Sequence, residues 1–212
     1  MARTFADISI SLDGFAAGPS PSLEDPLGVG GMQLHEWAFR LAAWRKPHGL
    51  EGGEAGPEAE VVERTQAATG AFVMGRKMFS NGDGPWEDDP KADGWWGDDP
   101  PFHGPVFIVT HHAREPVEKL GGTTFTFVTD GVAAAVEQAR AAAGGKDVQV
   151  SGGASVVQQA LELGLLDELQ LHVAPVLLGA GTPLFASGAP GRLEIVETIA
   201  STYATYVRYR VA

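Results

Sequence analysis

The residues of this chain best suited to chemistry are glycines, single cations and short polar runs placed where apolar stretches end. Val148 and Val150 close one such stretch, Gly152-Gly153 follows, and Ala154, Val157, Ala160 and Leu161 then recur at helical spacing. Glycines between a strand and a helix let the backbone come close to a ligand, and the helix's first amides have no partners inside the helix. With the helix dipole added, that junction suits an anion such as a pyrophosphate. The pair reads equally well as a tight turn with no ligand, because the GxGxxG spacing and the acidic residue about 20 positions downstream are absent.

A second junction repeats the pattern. Ala71–Met74 is a short apolar strand that runs into Gly75-Arg76-Lys77-Met78-Phe79-Ser80, a glycine turn and the start of a helix. Arg76 is either a solvated surface arginine or a planar fork of donors matched to phosphate, with Gly75 admitting the close approach. Asp13-Gly14, after the strand Thr4–Leu12, is either a turn alone or the mouth of a cleft, with Asp13 and the Phe15–Ala17 backbone outside the strand end. The buried strand Pro105–Thr110 delivers Thr110, His111, His112 and Arg114, a set able to receive a phosphate monoester. His111-His112 is not assigned as a metal site: adjacent residues on an extended chain point to opposite sides, and no carboxylate completes the set.

Around these residues the elements follow from periodicity. Gln33–Trp44 reads as a short amphipathic helix with Leu34, Trp37, Ala38, Leu41 and Ala42 on one face. Trp37 and Phe39 on it are core residues or a cover for a planar ligand. Arg45–Pro57 is irregular. Glu58–Thr69 reads as a helix closed by Gly70 as C-cap, and Thr124–Thr129 as a strand. Asp130 is the expected N-cap of the alanine-rich helix Gly131–Ala143. Asp167–Leu178 is a run of β-branched and leucine residues ended by Gly179–Gly181. Arg192–Ala200 and Thr202–Val211 read as an antiparallel hairpin turning at Ser201. The fold class that results is α/β, with a mixed, mostly parallel central sheet, flanking helices and an antiparallel C-terminal edge.

At 212 residues with no linker between separable halves, residues 1–212 are expected to be a single domain. Residues 82–104 form an acidic insertion loop in it, with Trp86, Trp95 and Trp96, seven carboxylates and only Lys91 against them. Its tryptophans read either as a lid on a substrate pocket or as a patch against a partner subunit. The net charge of −12 argues against wrapping nucleic acid. No apolar run approaches a membrane span and no secretory start is visible, so a soluble, cytoplasmic protein is expected. The absence of cysteine excludes disulfides and thiolate chemistry.

Taken in order, these pieces resemble the dihydrofolate-reductase-like superfamily. They are most similar to the branch containing the reductase domain of the bifunctional riboflavin-biosynthesis deaminase/reductase and its stand-alone relatives. The match is carried by Ser11-Leu12-Asp13-Gly14, Met74-Gly75-Arg76-Lys77-Met78, Phe107-Ile108-Val109-Thr110, Val150-Ser151-Gly152-Gly153-Ala154-Ser155, and Asp167-Glu168-Leu169 through Pro175–Phe185. The resemblance implies a three-layer dihydrofolate-reductase-like fold and NADPH held across the strand ends. It implies pyrophosphate contacts at Gly152, Gly153, Ala154 and Ser155, with Ser151 beside them. Further cofactor contacts fall at Gly75, Arg76 and Met78, the adenosine-side phosphate near Thr110 and His111, and the nicotinamide near Ala17. It also implies a homodimer. The chain departs from the pattern at Ser151, where members committed to riboflavin biosynthesis often carry glutamate, and it has no counterpart of the deaminase half. A dihydrofolate reductase places a carboxylate on the first helix, for which Glu36 is the nearest candidate.

The expected function is therefore an NADPH-dependent reductase of a small heterocyclic or carbonyl-containing substrate. Asp13 would position the nicotinamide side or relay a proton through water, and Trp37 would form part of the apolar wall. The alternative is a catalytically silent relative that keeps the nucleotide pocket and acts as a binding protein.

Overall fold

Aromatic and β-branched residues at alternating positions build the strands, and glycines or short polar runs end them. In the computed structural model, which describes residues 2–185 and 191–212, the strands and helices follow in this order: β1 (Thr4–Ser11), β2 (Phe15–Ala17), α1 (Glu36–Phe39), α2 (Ala42–Arg45), α3 (Pro57–Ala68), β3 (Thr69–Gly75), α4 (Arg76–Ser80), β4 (Pro105–Val109), β5 (Val117–Glu118), β6 (Thr124–Val128), α5 (Gly131–Ala142), β7 (Asp147–Gly152), α6 (Ala154–Glu162), β8 (Glu168–Ala174), β9 (Thr182–Pro183), β10 (Leu193–Ala200) and β11 (Thr205–Val211). The chain is α/β, its central sheet mixed and mostly parallel, with helices and a C-terminal antiparallel pair, as the residue pattern predicts. Contacts gather into two compact units, Met1–Phe5 with Thr69–Leu166, and Ala6–Ala68 with Asp167–Ala212.

The first unit carries the strand order β7-β3-β4-β6-β5. The β7/β3, β3/β4 and β4/β6 pairs are parallel, and β5 closes the edge antiparallel to β6. Register sets Met74 opposite Gly152 and Gly75 opposite Val109, so the C-terminal ends of three neighbouring strands share one rim. On α5, Val132, Ala135, Val136 and Ala139 repeat at three- and four-residue steps and are buried. Met74, Phe79, Val106, Ile108 and Phe125 form a second apolar cluster, each worth about 1.5–3 kcal/mol of burial.

The second unit has the order β10-β11-β8-β1, with β10/β11 and β11/β8 antiparallel, and a separate β2/β9 pair. The hairpin turns where expected: the Ser201 hydroxyl accepts from the Tyr203 and Ala204 amides, and the Ser201 amide donates to the Ala204 carbonyl.

Three local expectations need correction. Gln33–Trp44 is not one helix. A 3-10 turn over Gly31–His35 precedes α1 and α2, and between these Leu41 is extended because it bridges to Glu54, whose carbonyl accepts the Ala42 amide. Gly70 does not cap α3 but lies inside β3, where a side chain would collide with the Ala143 carbonyl; close backbone approach is what requires glycine there. Asp130 precedes α5 without a side-chain cap bond.

Candidate functional site

Both glycine junctions lie in the first unit, and they touch. A β-carbon built on Gly75 would stand 3.9 Å from the Gly152 carbonyl oxygen, 3.9 Å from the Gly153 nitrogen and 2.9 Å from Val156 Cγ2. The tight contact is the one with Val156, so a residue without a side chain at 75 lets α6 lie close over the end of β3. Gly152 has φ +124, outside the range that side chains favour, and the Gly152-Gly153 peptide is cis. Gly153 is exposed, and a β-carbon there would meet nothing within 4 Å, so open space stands over it. It precedes α6, whose start has no side-chain cap and no acidic residue in its first turn. Ala154 is buried and Ser155 exposed on that turn. The donor chemistry of this bend suits a negative ligand.

Two buried polar atoms near the same strand ends make no hydrogen bond: Ser151 Oγ, next to the glycine pair, and Arg76 Nη1. The rest of Arg76 is committed. Its side chain is 6% exposed; Nε donates to Ser80 Oγ at 2.9 Å and Nη2 to Asp89 Oδ2 at 2.5 Å. Its guanidinium carbon stacks 3.3 Å from the centroid of the Trp86 ring. Asp89 also accepts from Ser80 Oγ at 2.7 Å and from the Lys91 amide at 2.8 Å. Burial pushes the Asp89 carboxyl up, but the Ser80 hydroxyl, Arg76 and the Lys91 amide together hold it below the ordinary carboxylate value.

Met78 is half-buried against the Met74–Phe125 cluster. Thr110, just past β4, is buried; its amide donates to the Val128 carbonyl and its hydroxyl accepts from the His112 amide, while His111 is exposed. The acidic loop is tied to this unit. Trp86 donates Nε1 to the His112 carbonyl and packs edge-on against Phe79 and Phe127, and Trp96 packs against Phe102. These tryptophans cover the apolar cluster of their own unit.

Asp13, Ala17 and Trp37 belong to the second unit. Asp13 is exposed, and its carboxylate accepts the Leu178 amide at 3.1 Å and the Gly179 amide at 2.7 Å. The Ser11 hydroxyl, then the Gly179 and Leu178 amides, hold it below the ordinary carboxylate value against a smaller opposing effect of burial. Ala17 pairs with Thr182, and its carbonyl is packed so closely on Gly181 that a side chain there would collide with it. Trp37 is buried, stacked on His172 with ring centroids 3.9 Å apart, and donates Nε1 to Ser9 Oγ at 3.1 Å. Glu36 is exposed.

His172 brings in a cluster that periodicity did not single out. Its Nε2 lies 2.9 Å from Asp7 Oδ1, across 165 residues of sequence, and Tyr206 stands 5.2 Å away. Burial, with the nearby His172 imidazole, pushes the His35 imidazole down to about 4, and burial pushes the Tyr206 phenol up to about 12. The available signal was a carboxylate inside TFADISIS and an imidazole inside ELQLHVA, polar residues within otherwise apolar strands. The second unit also has an open depression of about 820 Å³ lined by Ala42, Lys46, Leu50, Gly53 and Glu63, and no candidate residue faces it. Among the described residues no helix is long and apolar enough to cross a membrane.

The family model described as the RibD C-terminal domain matches residues 4–205. A stretch of 41 residues, 19% of this chain, is 51% identical to the uncharacterized protein YyaP of Bacillus subtilis and spans 22% of that protein's length. Among solved structures, a protein of Shewanella sp. PV-4 provisionally named for riboflavin biosynthesis superposes with a TM-score of 0.64 at 18% identity, covering 99% of both chains. A pyrimidine reductase-like protein of Corynebacterium diphtheriae gives 0.56 at 16% identity, covering 100% of this chain and 92% of that one. The diaminohydroxyphosphoribosylaminopyrimidine deaminase/5-amino-6-(5-phosphoribosylamino)uracil reductase of Thermotoga maritima gives 0.56 at 13% identity, and this chain spans 57% of its length. At these identities the structural likenesses concern the fold.

Proposed function

The chain belongs to the RibD C-terminal domain family, and from that membership we propose a reductase that binds a reduced nicotinamide dinucleotide, NADPH, and reduces a small heterocyclic or carbonyl-containing substrate. The observation that carries this reading is the contact between the two glycine bends, with the Gly75 position 3.9 Å from Gly152 and Gly153 and open space above Gly153. The residues present fit such a group. The α6 start lacks a side-chain cap, and Ser151 Oγ and Arg76 Nη1 are buried polar atoms without partners. Gly152, Gly153, Ala154 and Ser155 would hold the pyrophosphate, with Ser151, Gly75, Arg76, Met78, Thr110 and His111 contributing along the same strand ends. Bound there, the cofactor would supply a hydride.

Asp13 enters as a positioning residue. Its carboxylate, held ionised by Ser11 and two amides, pins the Leu178–Gly179 backbone of its own unit. Trp37 acts from the core, through its stack on His172 and its bond to Ser9, rather than as an exposed wall. A homodimer formed through the outer edge of β10, where Ile195 is 69% exposed, belongs to the same proposal.

The test is a calorimetric titration with NADPH and NADH, followed by a cofactor-oxidation screen over pterins, pyrimidines and simple carbonyl compounds. Binding in the micromolar range with oxidation of at least one acceptor class is expected. Absence of binding at millimolar nucleotide would defeat the reading. Binding without turnover would leave a nucleotide-binding relative that has lost the reaction.

A further inference from the structure

Arg76 offers the first unit's strand ends a cation, and the acidic loop has already answered it. Asp89 and Arg76 are 3% and 6% exposed, a closed pair carrying opposite charges. Gly82 is part of the arrangement: a β-carbon there would collide with Asp89 Oδ2 and stand 2.9 Å from Arg76 Nη2, so glycine at 82 is what lets the carboxylate seat. Ser80 joins the two by accepting from Arg76 and donating to Asp89, and Trp86 fixes the guanidinium plane from one face. One donor is left over, the buried and unpartnered Arg76 Nη1.

We propose that Asp89 is a specificity-determining residue: its buried carboxylate neutralises Arg76 and thereby cancels most of the advantage this rim would give a nucleotide carrying an extra phosphate. The inference rests on the dinucleotide reading above and names what tunes it. Arg76 Nη1 remains without a protein partner. A second phosphate close to the fork also meets the Asp89 carboxylate, and at such separations repulsion offsets attraction. Asp93 serves as the control. It lies on the same loop and pairs with Arg114, but its carboxylate is 66% exposed and its field is screened.

Adenosine 2′,5′-bisphosphate and AMP, which differ by the extra phosphate, are the probes, titrated by calorimetry so that no turnover is needed. Wild type is expected to bind the two with similar affinity. Asp89→Asn should shift the ratio toward the bisphosphate by on the order of tenfold, and Asp93→Asn should leave it unchanged. Arg76→Gln reads the same pair from its other side and serves if Asp89→Asn fails to fold; it should shift the ratio toward AMP by on the order of tenfold. Binding of both probes with the ratio unmoved by either substitution overturns the role of Asp89 and leaves the dinucleotide reading standing. Folded proteins that bind neither probe at millimolar concentration overturn both.

Discussion

Each unit stacks an indole against a basic side chain, and the two pairs are built on different principles. In the first, Trp86 lies against a guanidinium, that of Arg76, and the countercharge Asp89 sits 13 residues away on an inserted loop. In the second, Trp37 lies against an imidazole, that of His172, and Asp7 sits 165 residues away on another strand. A permanent buried charge must keep its partner, because the alternative is an uncompensated ion in a poorly polarisable interior. An imidazole can shed its proton instead. The first cluster is therefore rigidly dependent on one carboxylate, and the second borders His35, whose imidazole is pushed down by burial and by His172.

The largest expected effect comes from breaking the permanent pair. Asp89→Ala should lower the unfolding free energy by about 3–5 kcal/mol in urea denaturation. The double variant Arg76→Met/Asp89→Leu should lose less than the single one, since it leaves no buried charge behind. Equal losses would mean that packing, not charge, holds the loop.

The pH-sensitive side of the comparison is sharpened by His35, whose imidazole is pushed down to about 4 from an ordinary 6.5 by burial and by His172. Between those values the unfolded chain holds the proton that the folded one refuses. Stability should be complete above about pH 6.5 and fall as pH drops toward 4. His35→Gln should flatten that window, with Asp7, His172 and Tyr206 still present in the variant. An unchanged slope would put the titration elsewhere.

Trp37→Phe probes the smaller term. It keeps an aromatic ring for the stack but removes the hydrogen bond to Ser9, and should cost about 1 kcal/mol in the same denaturation.

The comparison also explains what could be read in advance. β1, β3, β4, β6, β7, α5, α6 and the C-terminal hairpin were legible because local periodicity and glycine placement specify them, whereas the two- and three-residue strands β2, β5 and β9 are too short to show a period. The meeting of Gly75 with Gly152 was legible because each closes an apolar stretch, and parallel strands bring such ends to one rim. The fate of Arg76 was not, since nothing local says that Asp89, one of seven carboxylates in its loop, turns inward while Asp83, Glu87, Asp88, Asp93, Asp98 and Asp99 stay exposed. Gly82 was a clue only once the carboxylate was seen beside it. Gly70 and Leu41 were misread for the same reason: distant backbone, at Ala143 and Glu54, decides their conformations. The Asp7–His172 pair is invisible to any window shorter than the 165 residues that separate the two.

The central claim is that the paired glycine bends of the first unit grip a dinucleotide, and backbone amide resonances followed during titration with NADPH test it most directly. The account predicts that the largest shifts fall at Gly75, Arg76, Gly152, Gly153, Ala154 and Ser155. It also predicts that Gly153→Ala, whose added methyl meets no protein atom within 4 Å, weakens binding about tenfold or more while leaving the melting temperature near that of wild type. Saturable binding that leaves those six amides unmoved, or that is indifferent to Gly153→Ala, would contradict it.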